Sequence, residues 1–400
     1  MQQDHSRLWT KSFVALTISS FLLFLNLQML LSSFPAYVKA EFRSDDMQLS
    51  LVTSVFAIAA IGARFMTAAL MKKCRRSSLL FIGLGIAALS TGLYVLADSI
   101  GSLLVMRVCY GVGFGMGSTI IPTIVSQIIP SRRLGEGIGY FGLSTSLAMS
   151  VGPMIGLNVM KEAGFGALTT VGTVTMLLTF PLLLLTRAIP VEAARSTHNQ
   201  APQPSVKAPF NSKLLLPMLL NFLLAITYSG LLSFLALFGQ AAKLEQVGLF
   251  FVFNVITILL IRPISGKVFD RRGHASVLIP AAVFVIASMI VLSYAETMPL
   301  LIVSALLYGV GFGAIQPTIQ AWMLRVSAPS QHGMANSMFY NSTDLGVAVG
   351  AFILGAIAEM SDYNVMYRYS AGVMAIFLML YSISQLRSKM AKQTAIPERP

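Results

Sequence analysis

The sequence predicts an all-α integral membrane protein, with twelve transmembrane helices in two parallel six-helix repeats. Three observations carry that prediction. The 400 residues are 56% hydrophobic and only 11% charged, with a mean hydropathy of +0.75; a soluble domain carries about 25% charged residues. Twelve apolar windows of about 20 residues are each long enough to cross a bilayer. The second half of the chain also repeats the first at a constant distance.

The first six windows run roughly over 13–35, 48–70, 78–97, 101–124, 135–159 and 165–186. The second six run roughly over 213–238, 246–266, 275–294, 299–324, 333–357 and 365–386. Glycine and proline inside them are compatible with spanning, because neighbouring helices satisfy the freed backbone groups. The first window follows the short polar lead MQQDHSRLWTKSF, with no small-residue cleavage site soon after it. It reads as a retained helix and not a removed signal peptide. The stretch 187–212 holds Pro190, Pro202, Pro204 and Pro209 and buries little apolar surface, so it reads as a linker. The expected organisation is a first bundle over 1–186, a cytoplasmic linker over 187–212 and a second bundle over 213–400.

Basic residues orient the spans. With the N-terminus inside, 20 of the 28 lysines and arginines fall on the cytoplasmic side, five fall outside, and Arg64, Arg107 and Arg262 remain in or at the edge of the membrane. Both termini are therefore expected in the cytoplasm of a bacterial cell membrane. The net charge of +13 is loop charge. It forms no basic face with interleaved aromatics, so nucleic acid is excluded as a partner. Two cysteines, Cys74 and Cys109, make no disulfide framework. The four histidines are too scattered for a metal site, and no phosphate-cradling G-x-x-x-x-G-K-[ST] loop is present. No cofactor is expected, and no nucleophile–base constellation suggests an enzyme.

The repeat is explicit. Arg64 pairs with Arg262, Gly111 with Gly309, Ser144 with Ser342 and Gly152 with Gly350, each at an offset of 198. Parallel halves of this kind place a substrate site between them near the bilayer midplane. The loop after the second helix of the second half reads Gly266-Lys-Val-Phe-Asp270-Arg271-Arg272-Gly273. The fourth helix reads Arg107-x-x-x-Gly111-x-Gly113, and the fifth carries Gly152-Pro153 within Ala148–Leu157.

These residues resemble the major facilitator superfamily of secondary transporters, over about 380 residues, and specifically its drug or metabolite:proton antiporters. The loop matches the family signature G-x-x-x-D-R-x-G-R-R. Its first-half copy is degraded, with Ala68, Lys72 and Arg75 at the glycine, aspartate and later glycine positions. The resemblance implies that Asp270 is the surviving analogue of an aspartate that latches the halves on the cytoplasmic side. It implies a link between Arg107 and proton transfer. It also implies that Gly152-Pro153, the core of G-x-x-x-G-P-x-x-G-G, marks exporters that exchange substrate for protons.

Charged groups inside spans are costly and default to function. Asp344 is the one acidic residue clearly within a span. Desolvation favours the neutral form of a carboxyl group, the property a proton carrier needs; a structural polar contact is the plainer alternative. Arg107 either senses protonation of an acid, holds an anionic substrate group, or donates to backbone carbonyls. Glu136 is a further proton candidate, unless it pairs with Arg132 or Arg133. Arg64 and Arg262 read as anchors that snorkel to the interface. Asn26, Gln28, Tyr140, Asn221, Tyr228, Asn254, Tyr308, Gln316, Asn336, Tyr340 and Asn341 supply the polar and aromatic side chains of the cavity-forming helices. A few polar groups in an apolar, aromatic cavity suit small amphiphilic molecules.

The expected function is proton-coupled efflux of small amphiphilic drugs or metabolites by alternating access, by a monomer. The alternatives are a proton symporter importing a nutrient and an exporter dedicated to one metabolite such as a siderophore-like chelate. A sensor or scaffold would need a soluble effector domain, and the longest polar segment is the central stretch 187–212.

Overall fold

The computed structural model describes residues 8–42, 46–187, 211–244 and 246–394. The central stretch assigned to the linker, apart from its ends, lies outside them. The helices are α1 (Lys11–Phe42), α2 (Asp46–Leu70), α3 (Arg76–Leu93), α4 (Ile100–Ile128), α5 (Leu134–Leu177), α6 (Thr179–Leu185), α7 (Leu215–Ala241), α8 (Leu249–Arg272), α9 (Ala275–Leu292), α10 (Met298–Arg325), α11 (His332–Met360) and α12 (Tyr363–Thr394). The described residues contain no strand. Without water in the hydrocarbon core, a helix is the one open structure that satisfies its own backbone.

Ten described stretches are long and apolar enough to span a membrane, and α2 adds the shorter apolar stretch Val55–Leu70. One of the ten, Ser131–Leu185, is 55 residues long, enough for two crossings at about 1.5 Å per residue. It holds the fifth and sixth predicted spans. Gly164, at φ 79° and ψ −179°, breaks the helical path between them, in a region of backbone space that glycine enters without a Cβ clash. Several helices outrun their predicted windows: α1 reaches Phe42 where the apolar window stops near residue 35. Local ends are built by side chains. Ser99 caps α4 in a reciprocal capping box with Ser102. Gly273 ends α8 at φ 80° and ψ 177°, a region of backbone space that glycine enters without a Cβ clash.

The chain divides into two compact units. One comprises Met1–Leu214 with Met323–Asn341, the other Leu215–Trp322 with Ser342–Pro400. In the first, α1 packs on α5, and α4 packs on α2 and α3. In the second, α12 packs on α7 and α9, and α8 packs on α9.

The glycine string of α4 is what allows this packing. A Cβ on Gly111 would lie 2.7 Å from the Phe56 carbonyl oxygen, and one on Gly115 2.7 Å from that of Ala60. Both face α2. Gly113, on the other side, faces α3: its Cβ would lie 2.6 Å from both the Ala87 nitrogen and the Gly83 oxygen. The second unit repeats the arrangement at the same offset. Gly309 meets Asn254 on α8, Gly311 meets Ala281 and Val285 on α9, and Gly313 meets Ile258 on α8. Gly152 meets Gln28 on α1, while Gly350 meets Ile226 on α7. The 198-residue repeat is therefore a repeat of backbone contacts.

Gly113→Val is expected to destabilise by about 1–3 kcal/mol or more, because its neighbours are backbone and cannot yield. Gly85→Ala, whose Cβ would meet nothing within 4 Å, is expected to leave the unfolding temperature in detergent unchanged. Thermal unfolding of the two purified variants checks both.

Candidate functional site

The first unit contains two buried arginines in different settings. Arg64 is 1% exposed, which corrects the expectation of a snorkelling anchor. Its Nε donates to Ser118 Oγ (3.2 Å) and its Nη1 to Asn341 Oδ1 (3.0 Å). The guanidinium also lies between the Phe114 and Tyr340 rings, 5.8 and 5.7 Å from their centroids. Arg262, its repeat mate in the second unit, is equally buried and donates from Nη2 to Gln316 Oε1 at 2.7 Å. A buried cation is retained where such hydrogen bonds replace its water, and both arginines have inward partners that sequence spacing did not reveal.

Arg64 belongs to a polar seam that joins the stretch 323–341 to α2 and α4 within the first unit. Ser337 Oγ donates to the Arg64 carbonyl at 3.0 Å, and Asn336 Nδ2 donates to Thr123 Oγ1 at 3.4 Å. Gln127 Nε2 donates to the Pro329 carbonyl at 3.1 Å. His332 Nδ1 and Ser126 Oγ are 2.9 Å apart. His332 is thus a buried residue opening α11. His274 also has a fixed place: it stacks on Trp322 with centroids 4.2 Å apart and bonds the Tyr381 hydroxyl at 2.6 Å. The seam brings Arg64, read from the sequence as an anchor, together with Asn336, Tyr340 and Asn341, assigned there to the cavity.

Arg107 is fully buried, and Nε donates to the Val52 carbonyl at 3.1 Å. Nη1 and Nη2 have no hydrogen-bond partner. The Phe34 and Phe56 rings cover the guanidinium with centroids 4.1 and 5.2 Å away. The buried Tyr94 hydroxyl lies beside it. One turn on, Tyr110 donates to Asn26 Oδ1 at 2.7 Å, and Asn26 Nδ2 donates to the Gly172 carbonyl at 2.8 Å. The Asn26 amide is engaged within the bundle, tying α1 to α4 and α5, in place of the open cavity position expected for it.

The remaining candidates are distributed as follows. Gln28 is half-buried against Gly152. Tyr140 is half-buried and packs edge-on against Trp9, 4.8 Å away. Glu136 is buried and accepts from Arg133 Nε at 2.7 Å, so the ion pair that competed with its proton role is present. In the second unit Asn221 Nδ2 donates to Ser342 Oγ and Thr343 Oγ1, at 2.8 and 2.7 Å. Asp344 follows directly in α11 and is half-buried, less enclosed than expected. Tyr228 and Tyr308 both stack on Phe312, 4.9 and 5.5 Å away, and the Tyr308 hydroxyl bonds Thr227 at 3.1 Å. Asn254 is buried beneath Gly309. Gly266 is buried in α8, Asp270 half-buried and Arg271 exposed; Pro153 lies within α5. None of the substrate candidates lines the described cavities of about 270 and 430 Å³, which sit beside Lys72 and Arg76 and beside Lys243 and Glu296.

Comparison with known proteins joins these observations. The sequence profile of the Major Facilitator Superfamily matches residues 16–327 and 242–400. The chain belongs to the major facilitator superfamily. It is a multi-pass membrane transporter and not an enzyme. Among curated relatives of this superfamily, the multidrug resistance protein MdtG of Escherichia coli O9:H4 (strain HS) is 24% identical over 405 residues, covering 97% of each chain. Among solved structures, FucP in the outward conformation aligns with a TM-score of 0.75 at 16% identity, over 94% of this chain and 99% of that one. The human organic anion transporter MFSD10 aligns with a TM-score of 0.74 at 17% identity, over 92% and 98%. These structural likenesses establish the all-α superfamily fold.

A double-mutant cycle of Arg64→Gln and Asn341→Leu is expected to show a coupling of about 1.5 kcal/mol in unfolding in detergent, the range for a hydrogen bond to a charged group. Effects that add to within about 0.5 kcal/mol would mean that the bond is not made.

Proposed function

We propose that the protein is a proton-coupled exporter of small amphiphilic molecules, working by alternating access as a monomer in a bacterial cell membrane, with both termini cytoplasmic. The observation that carries this reading is the full-length similarity to the multidrug resistance protein MdtG. It is supported by Gly152 of the exporter-type pattern, which is seated against α1 with Gln28 Cβ 2.5 Å from where its own Cβ would stand. The basic bias of the loops supports the orientation.

In this reading Asp344 carries the proton. It is half-buried in a span, next to the Asn221–Thr343 hydrogen bond. A charge change there alters the cost of keeping α11 in an apolar environment. The seam around Arg64 is the element that opens and recloses on the cytoplasmic side. Its bonds are made largely by neutral side chains, each worth about 0.5–1.5 kcal/mol net. Such bonds can be exchanged for water without the penalty of separating a buried ion pair.

Everted vesicles loaded with fluorescent amphiphiles of positive, zero and negative charge test the reading. Transport is expected to follow an imposed pH gradient. Asp344→Asn is expected to abolish gradient-driven transport while leaving substrate–substrate exchange intact. Gradient-driven transport that survives the substitution would remove Asp344 from the coupling.

A further inference from the structure

We propose that Arg107 and Tyr94 form a carboxylate-binding site inside the first unit, so that the transported amphiphiles include monoanions with an aromatic or aliphatic carboxylate. This inference takes the exporter reading as its setting and specifies its substrate class.

The first observation is the donor inventory. Arg107 and Tyr94 are each fully buried. Arg107 Nε is used by the Val52 carbonyl, and Nη1, Nη2 and the Tyr94 hydroxyl have no hydrogen-bond partner. A guanidinium stays charged at any physiological pH. The site is therefore a permanent positive charge with a fork of unused N–H groups and a hydroxyl beside it. No described carboxylate pairs with Arg107. The Phe34 and Phe56 rings, 4.1 and 5.2 Å away, hold the cation by its faces. A ring face accepts the charge but leaves in-plane donors unanswered.

The second observation is independent and comes from the repeat. At the offset of 198, Arg107 corresponds to Ala305 and Tyr94 to Leu292, each fully buried. Asn26, which orients the neighbouring Tyr110, corresponds to Leu224. The structural offset holds at these helices, because Gly113 meets Ala87 as Gly311 meets Val285. Tyr110 and Phe114 are kept in the second unit as Tyr308 and Phe312. The same scaffold thus closes with alanine and leucine in one unit and with arginine and tyrosine in the other. The fold does not require the charge, and the recognition of an anion is a role that its unused donors fit.

The chemistry of the donors selects the ligand. Two parallel N–H groups match the two oxygens of a carboxylate in the bidentate arrangement. The phenol adds a donor at the side. A neutral amide presents one oxygen and its own N–H groups, so it meets the fork poorly. Chloride lacks the geometry and the apolar body.

Purified protein in detergent tests this at equilibrium, with no proton gradient, so the outcome is separate from the direction or coupling of transport. The probes are benzoate, 2-naphthoate and decanoate, with benzamide and chloride as controls. Saturable binding and a raised unfolding temperature are expected with the carboxylates and not with the controls. Arg107→Gln is expected to weaken carboxylate binding about tenfold or more, and Tyr94→Phe by a smaller factor. Ligand-free Arg107→Gln is expected to unfold at or above the wild-type temperature, since a buried unpaired charge is removed. Absent binding of all three carboxylates overturns the proposal. So does unchanged binding in Arg107→Gln, equal protection by benzamide or chloride, or a ligand-free Arg107→Gln that is less stable than the wild type.

Discussion

Close approach of helix backbones at glycine is the constraint on which the rest of this structure depends. Inside a bilayer the lipid is as apolar as a leucine side chain, so helices gain little by hiding hydrophobic surface from it. They associate where packing is tight. Here α4 lies against α2 and α3 so closely that a methyl group at Gly111, Gly113 or Gly115 would overlap backbone atoms. α10 does the same against α8 and α9 through Gly309, Gly311 and Gly313. Because these contacts are rigid and duplicated, every difference between the two units stands out as a choice made on a common frame.

The buried arginines show what such choices look like. Arg64 and Arg262 occupy equivalent places, and each is answered by side-chain oxygens, from Ser118 and Asn341 in one case and Gln316 in the other. Arg107 has no equivalent, since Ala305 stands in its place, and two of its three nitrogens are unanswered. Two arginines are thus built into the frame, while the third is added to it. Asp344, opposite in sign, has Ser146 as its repeat mate and follows the hydrogen-bonded Asn221–Thr343 pair in the second unit. The carboxylate site and the proton carrier proposed above rest on these two departures from symmetry.

Much of the fold was legible in the sequence, because span length, loop charge and glycine spacing are local properties. The constant offset of 198 located the paired glycines, and the structure shows which helices they join. Less of the site was legible. Arg64 reads from sequence as a residue near a helix end and therefore as an anchor at the water interface. Its partner Asn341 lies 277 positions away, and no local pattern encodes that distance. Asn26 looked available to a ligand, yet its amide is spent on Gly172 and Tyr110. Tyr94 was overlooked because a tyrosine near the end of a span is ordinary; reading the offset against Leu292 would have singled it out.

The sequence by itself determined the number and composition of the spans, their pairing into two repeats, and which charges lack a repeat mate. These follow from solvent and periodicity, which act residue by residue. The tertiary structure alone decided that the stretch 323–341 packs with the first unit, that Arg64 is satisfied, and that the donors of Arg107 and Tyr94 are not. Whether a buried polar atom has a partner depends on which helices meet it, and that is fixed only when the glycines bring their backbones together.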